Sequence, residues 1–304
     1  MSKLVYNQEA KERLDKFLTA QLPELSRAKI QKLIKIGEIE VNGKKAIPHQ
    51  PLKTGDVIAL KIIKAKAVKA VKISKELEPK IIAEEKDYLI INKPSGLIVH
   101  HADNDKNNFA LSDWLVKKYP SLKKVGEDPI RPGIVHRLDK EASGLMVIPK
   151  NQKMFQHLKS QFQNHLVKKE YLALAYGKII NDEGLIDFPL SRSKISGKMA
   201  AQPQGSAGRS AITNFVVLKR FSRYTYLKVI IKTGRSHQIR AHLKAYGYPL
   251  VGDKLYENKK IKPAELKRLF LHAATLGFND LQNKWREFNI NLPKELKNFL
   301  NILK

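Results

Sequence analysis

Twelve arginines stand among forty-five lysines in this chain of 304 residues, and four of the twelve, Arg131, Arg137, Arg235 and Arg240, fall in two short segments. A guanidinium presents a planar fork to carboxylates or phosphates and a flat face to bases, which an ammonium does not. Arginine placed so selectively marks a candidate site. The first segment runs Arg131-Pro132-Gly133-Ile134-Val135-His136-Arg137-Leu138-Asp139-Lys140-Glu141-Ala142-Ser143-Gly144-Leu145-Met146-Val147-Ile148. Its apolar ends read as two strands, which would hold the polar middle in a loop and frame a carboxylate rigidly. Such a carboxylate can act as nucleophile or as base without a cofactor. On spacing alone the plainer reading of Asp139, a turn residue or the partner of Arg137, carries more weight.

In the second segment, Thr233-Gly234-Arg235-Ser236-His237-Gln238-Ile239-Arg240-Ala241-His242-Leu243, a glycine turn ends a strand. Ser236 is placed to cap a helix that carries Arg240 on its next turn. Two histidine patterns invite a metal reading and fail it. His237 and His242 are five apart, not the four that set two ligands on one helical face, so both read as packing or hydrogen-bonding groups. His100 and His101 with Asp103 place neighbours on opposite faces of a strand and leave no third ligand. No metal is expected.

The elements that must position these segments fall into two groups. From Leu4 to about Ile63 the pattern predicts a small α-plus-β unit: a helix over Gln8–Leu22, a second helix through Lys35 with Ser26 as its N-cap, a strand Glu38–Val41, the turn Asn42-Gly43, and a strand Val57–Ile63. Ile30, Leu33 and Ile34 share one face of the second helix, and lysines take the other. A lysine-rich stretch over 64–80 reads as a linker. Beyond it, strands are expected at Tyr88–Asn92, Gly144–Ile148, Tyr171–Tyr176, Ala211–Leu218 and Tyr224–Ile231, with helices at Phe109–Lys118, Lys153–His165 and Ser236–Ala245. Phe155, Leu158, Phe162 and Leu166 read as a core face. No regular βαβ alternation and no Gly-x-Gly-x-x-Gly after a strand is present, which disfavours a dinucleotide fold. The fold class is α+β: a mixed, largely antiparallel sheet with helices and loops flanking a central cleft, preceded by the small unit. The expected domains are 1–63, the linker 64–80, and 81–304.

The formal charge of +28 and pI near 10.0 are spread along the chain and point to a polyanionic partner. The absence of cysteine removes disulfides, thiolate nucleophiles and Cys-based metal sites. No apolar run is long enough to span a membrane and no secretion signal is visible, so a cytoplasmic location is expected. Nothing demands a dimer, and a monomer is favoured.

His136-Arg137-Leu138-Asp139-Lys140 through Ser143-Gly144 resembles the signature of the RluA-type pseudouridine synthases. Asn92-Lys93-Pro94-Ser95-Gly96-Leu97 with His100, Lys169-Glu170-Tyr171-Leu172-Ala173, Thr233 through Arg240, Gly252-Asp253 with Tyr256, and Leu271-His272-Ala273 follow in the family's order. The front unit resembles the alpha-L RNA-binding domain through Arg13-Leu14-Asp15, Leu25-Ser26-Arg27, Lys35-Ile36-Gly37, Val41-Asn42-Gly43 and Gly55-Asp56. The resemblance implies an enzyme that isomerises uridine to pseudouridine in RNA, with large-subunit, 23S-type ribosomal RNA as the expected partner and transfer RNA as the alternative. It implies Asp139 as the essential aspartate, Tyr171 as the aromatic stacked on the target base, and Arg240 as the basic partner of the aspartate. It further implies Arg137 as the arginine entering the RNA stack as the uridine leaves. Arg13, Ser26, Arg27, Lys29 and Lys35 are the expected RNA contacts of the front unit, and no cofactor is implied. Ala142 departs from the family, which more often has Thr there. A non-catalytic RNA-binding or ribosome-assembly factor is the competing class, and a histidine-based metal hydrolase fares worst because the spacings are wrong.

Overall fold

The structure, a computed structural model, describes residues 2–22, 25, 27–60, 74–101, 109–128, 130–193, 196–257 and 264–304. Its internal contacts form two compact units, one built on Met1–Val71 and the other on Lys72–His101 and Asn108–Lys304.

The first unit runs β1 (Ser2–Val5), α1 (Leu14–Gln21), α2 (Arg27–Lys35), β2 (Ile39–Val41), β3 (Lys44–Lys45) and β4 (Val57–Leu60). Its sheet is antiparallel in the order β1-β4-β2-β3. Asn42 and Gly43, both at positive φ, make the tight turn between β2 and β3 that their types predict. The first helix begins six residues later than Gln8. Residues just before it bond across to 48–52 instead, with Leu14 N–H donating to the Gln50 carbonyl at 2.9 Å and Leu52 N–H to that of Glu12 at 2.8 Å. Ile30, Leu33 and Ile34 are buried with Leu14, Leu18 and Ile58, as the spacing requires. The Ser26 cap, residues 61–63 at the end of the last expected strand, and most of the expected linker lie outside the described residues; of that linker, Lys75–Leu77 forms one 3-10 turn.

The second unit contains β5 (Lys80–Glu84), β6 (Tyr88–Lys93), α3 (Leu111–Lys118), β7 (Ser143–Pro149), α4 (Gln152–Gln163), β8 (Lys168–Tyr176), β9 (Glu183–Ile186), β10 (Leu190–Arg192), β11 (Met199–Ala201), β12 (Thr213–Arg220), β13 (Tyr224–Ile231), α5 (Gln238–Ala245), β14 (Leu271–Asn279), β15 (Trp285–Asn289) and α6 (Lys294–Asn301). Nine strands form one sheet in the order β5-β6-β7-β14-β8-β13-β12-β9, with β15 also on β14. Only the β7–β14 pair is parallel. The mixed, largely antiparallel sheet is therefore as expected. Both faces are covered: Leu89, Met146, Ala173 and Val229 pack with Leu115 of α3 and Leu243 of α5, while Ile90, Val147 and Phe278 pack with Met154 and Leu158 of α4.

Three expectations are corrected in the second unit. Ile134 and Val135 form no strand: Pro132 lacks an N–H, Gly133 at φ +67° turns the chain, and Ile134 N–H closes onto the Arg131 carbonyl at 3.1 Å. The vacant edge of β7 is met by a side chain, His136 Nε2, which accepts the Val147 N–H at 3.0 Å. The helix of the second segment starts at Gln238, and its N-cap is His237 at φ +53° rather than Ser236. Leu166 is exposed, because α4 ends at Gln163 and His165 reverses the chain at φ +58°.

Candidate active site

A cleft of about 600 Å³ on the second unit is lined by the Asp139 loop, the end of α4, β8 and the turn before α5. Asp139 lies on its wall with 15% of the side chain exposed. The loop that carries it is held by the Asn92–Leu97 motif. Lys93 Nζ, buried, donates to the carbonyls of Pro94 and Leu97 at 2.8 Å and to that of Lys140 at 3.3 Å. Gly96 N–H reaches the same Lys140 carbonyl at 2.7 Å, and Ser95 Oγ the Glu141 carbonyl at 2.6 Å. Burial draws the Lys93 pKa down to about 7, against the pull of the Asp139 charge. Behind the loop, Gly144 sits at φ +125°, and a Cβ there would stand 2.3 Å from the Ala273 carbonyl oxygen. Only glycine lets β14 run so close.

Arg240, in the first turn of α5, is 2% exposed and faces three carboxylates. Its Nε and Nη2 are taken by buried Asp253, at 2.7 and 2.8 Å. Nη1 remains for Asp139 Oδ2 at 3.2 Å and Glu141 Oε2 at 3.3 Å. Burial opposes the charge on Arg240, but the hydrogen bonds and charge of Asp253, then Asp139, outweigh it and raise its pKa. Asp253 is itself fixed by the N–H groups of Leu255 and Tyr256 at 3.0 and 3.1 Å. The start of α5 is set by Gln238, whose Oε1 accepts from Thr233 Oγ1 at 2.8 Å and Arg235 N–H at 3.0 Å.

Tyr171 extends from β8 into the cleft and is 8% exposed. Burial, and then the Asp139 charge, push its phenol above the ordinary range, so it stays neutral. The structure thus brings Asp139, Arg240 and Tyr171 to one site. Arg137 is exposed on the rim of the cleft, with its Nη1 3.5 Å from His100 Nε2 rather than paired with Asp139. His101 bonds Asp113 at 2.8 Å, and no metal-binding cluster occurs among the described residues. His242 is buried between Thr213 Oγ1 and the Phe188 carbonyl, both at 2.9 Å, whereas His237 lines the cleft with its Nε2 3.9 Å from Asp139 Oδ1. In the first unit Arg13 and Arg27 both bind buried Asp15, Lys35 is exposed, and Ser26 and the side chain of Lys29 lie outside the described residues.

Four cleft-side residues carry roles that spacing alone did not suggest. Asp253 and Lys93 lie inside quoted motifs, and the motif was their only signal. Phe162 read as core but also lines the cleft and stacks on His136, centroids 4.6 Å apart. Lys169 opens the quoted Lys169–Ala173 motif, which was taken for Tyr171 and gave the lysine no role of its own.

A family model described as RNA pseudouridylate synthase matches residues 87–245, more than half of the chain, and spans Asp139, Tyr171 and Arg240. The chain belongs to the RNA pseudouridine synthase family. An S4 domain model matches residues 12–58, so this pseudouridine synthase carries an S4 RNA-binding domain in its first unit. Relatives cover nearly all of it. An uncharacterized RNA pseudouridine synthase of Bacillus subtilis is 33% identical over 96% of this chain and 94% of its own length. Ribosomal large subunit pseudouridine synthase D of Pseudomonas aeruginosa is 32% identical over 96% and 92%. Human RNA pseudouridylate synthase domain containing 1 shares the fold, with a TM-score of 0.61 over 73% of this chain and 86% of that one at 22% identity. Among the described residues no helix is long and apolar enough to cross a membrane.

Proposed function

We propose that this pseudouridine synthase isomerises uridines of large-subunit ribosomal RNA in the cytoplasm, with Asp139 as its reacting carboxylate. One observation carries the reading: Asp139 faces the cleft, held by a single nitrogen of a guanidinium whose other nitrogens are engaged by Asp253. The uridine flips out of the RNA at a cost of a few kcal/mol, offset by stacking on Tyr171, worth about 1–3 kcal/mol. Asp139 then acts on the sugar, as nucleophile at C1′ or as base toward the ribose, and the C1′–N1 bond opens. The uracil leaves with the bonding electron pair, turns within the cleft and forms a bond from C5 to C1′, displacing the Asp139 carboxylate where that had added to C1′, or with the proton taken from C2′ returned to it where Asp139 acted as base. The C5 proton is lost and N1 gains one, so the product is an isomer. Arg137 on the rim enters the RNA stack as the uridine leaves and, with Arg131 and Arg235 on the cleft wall, meets phosphates. Arg13, Ser26, Arg27, Lys29 and Lys35 are the RNA contacts of the S4 domain. The choice of large-subunit RNA is supported by the names of relatives in Vibrio parahaemolyticus and Pseudomonas aeruginosa.

Asp139→Asn tests the chemistry. Pseudouridine formation is expected to fall about a thousandfold or more while RNA affinity stays near wild type; turnover at the wild-type rate would remove Asp139 from the reaction. Pseudouridine mapping in a strain lacking the protein is expected to show the loss in large-subunit RNA. A loss confined to transfer RNA refutes that substrate.

A further inference from the structure

We propose that Lys169 binds the uracil ring itself, its ammonium donating to a carbonyl oxygen of the base and steadying the negative charge that gathers there when the glycosidic bond opens. The proposal rests on the reading of Asp139 and Tyr171 above. Lys169 is on β8, two residues before Tyr171, and alternation sends both side chains to the cleft. It is 8% exposed. Its one hydrogen bond is to the Lys232 carbonyl at 3.3 Å, the ring of Phe162 lies 5.8 Å away, and no carboxylate among the described residues pairs with it. Neighbouring His136 is stacked on Phe162 and neutral, since burial and the Lys169 charge lower its pKa to about 3.

A desolvated ammonium without a counter-ion is costly, and burial accordingly lowers the Lys169 pKa to about 8, which still leaves it charged at neutral pH. Perturbed groups of this kind gather at functional sites, where a ligand supplies the missing partner. Two sources of anionic oxygen exist in the substrate, the phosphodiester and the base. Burial favours the base. Phosphodiesters keep their hydration and suit the exposed Arg131 and Arg137 of the rim, whereas Lys169 stands about 7 Å along the strand from the stacking platform, within reach of the edge of a stacked pyrimidine. As C1′–N1 breaks, the electron pair spreads from N1 onto the two carbonyl oxygens. Lys169 keeps its proton and strengthens its hydrogen bond, an effect far larger in a closed site than in water.

Lys169→Met and Lys169→Arg are compared with wild type in single turnover on RNA carrying uridine or 5-fluorouridine at the target position. Wild-type conversion of uridine and its loss in Asp139→Asn are measured first, so failure of the underlying reaction is seen separately. Lys169→Met is expected to bind RNA within about threefold of wild-type affinity with the same salt dependence, since its bond to the base strengthens as the charge develops, and to open the glycosidic bond about a hundredfold more slowly, with most of the loss restored in Lys169→Arg. Fluorine stabilises the departing ring by itself, so the Met defect should shrink to about tenfold or less on 5-fluorouridine. Equal losses on the two RNAs, a weakened affinity with a smaller salt slope, or an unchanged rate on uridine would each overturn the proposal. Lys169→Gln must give the same pattern, which covers a Met variant that fails to fold.

Discussion

The S4 domain and the catalytic unit each hold an aspartate against arginine, and the two pairs are finished differently. Asp15 is fully buried. Its Oδ1 accepts from Arg13 Nε at 3.0 Å, and its Oδ2 accepts from Arg13 Nη2 at 2.9 Å, Arg27 Nη2 at 3.0 Å and Gln31 Nε2 at 2.6 Å. Asp139 has one guanidinium nitrogen on Oδ2, and the His237 imidazole, whose pKa burial lowers, stands 3.9 Å from Oδ1. The first carboxylate has spent its lone pairs on the fold, and the second keeps some open to the cleft. Asp253 makes the difference. By occupying Nε and Nη2 it prevents Arg240 from closing on Asp139 in the two-toothed manner that Arg13 adopts on Asp15.

The strongest way to break this comparison is to neutralise the saturated carboxylate. Asp15→Asn should lower the stability of the S4 domain by about 1–3 kcal/mol, a figure held down because both arginines are partly in water. On a short RNA spanning only the target, its rate should be that of wild type. Asp139→Asn should show the reverse, little change in melting and a lost rate. A melting curve for Asp15→Asn that overlays wild type would mean that donor saturation does not mark a structural carboxylate.

The same contrast sharpens with pH. Burial alone would raise the Asp15 pKa, but hydrogen bonds from Arg13, Gln31 and Arg27 outweigh it and hold the carboxyl well below its usual 3.8. Its stabilising contribution is complete above that value and is lost as pH falls through the folded value. The catalytic unit responds at the other end. Lys93, at about 7 when folded and 10.5 in its ordinary state, binds fewer protons folded than unfolded between those values, so stability should rise with pH across that window. Lys169, at about 8, acts in the same direction. Thermal melts from pH 7 to 10 should show the rise in wild type and a smaller one in Lys93→Met; an identical rise in both would exclude Lys93 as its source.

Local rules made part of this molecule legible. Helix α2 carries its apolar face in its spacing, and the Asn42-Gly43 turn follows from residue type. Tertiary pairing shortened α1, and no periodicity reports a segment that bonds to residues 48–52. Strand β14 is buried on both faces, so Leu271–Asn279 lacks the alternation that marks a half-exposed strand. In the site, the order of motifs singled out Asp139, Tyr171 and Arg240. Spacing could not say which aspartate Arg240 holds most tightly, since Asp253 and Asp139 lie 13 and 101 residues away from it.

The smallest effect separates arginines rather than aspartates. Arg27 lies on Asp15 with 45% of its side chain exposed, so it can serve the fold and a phosphate together. Arg137 has no carboxylate partner among the described residues and lies exposed on the cleft rim. Arg137→Ala should therefore reduce the slope of log affinity against log salt by about 0.7–0.9, the loss of one phosphate contact, and leave melting unchanged. Arg27→Ala should reduce the slope by a similar amount and also lower the melting temperature, because Asp15 loses a donor. If Arg27→Ala melts like wild type, Arg13 and Gln31 suffice for Asp15 and Arg27 belongs wholly to the RNA. If Arg137→Ala instead leaves the slope intact, the rim arginine does not touch phosphate, and the positive edge of the cleft must be assigned to Arg131 and Arg235.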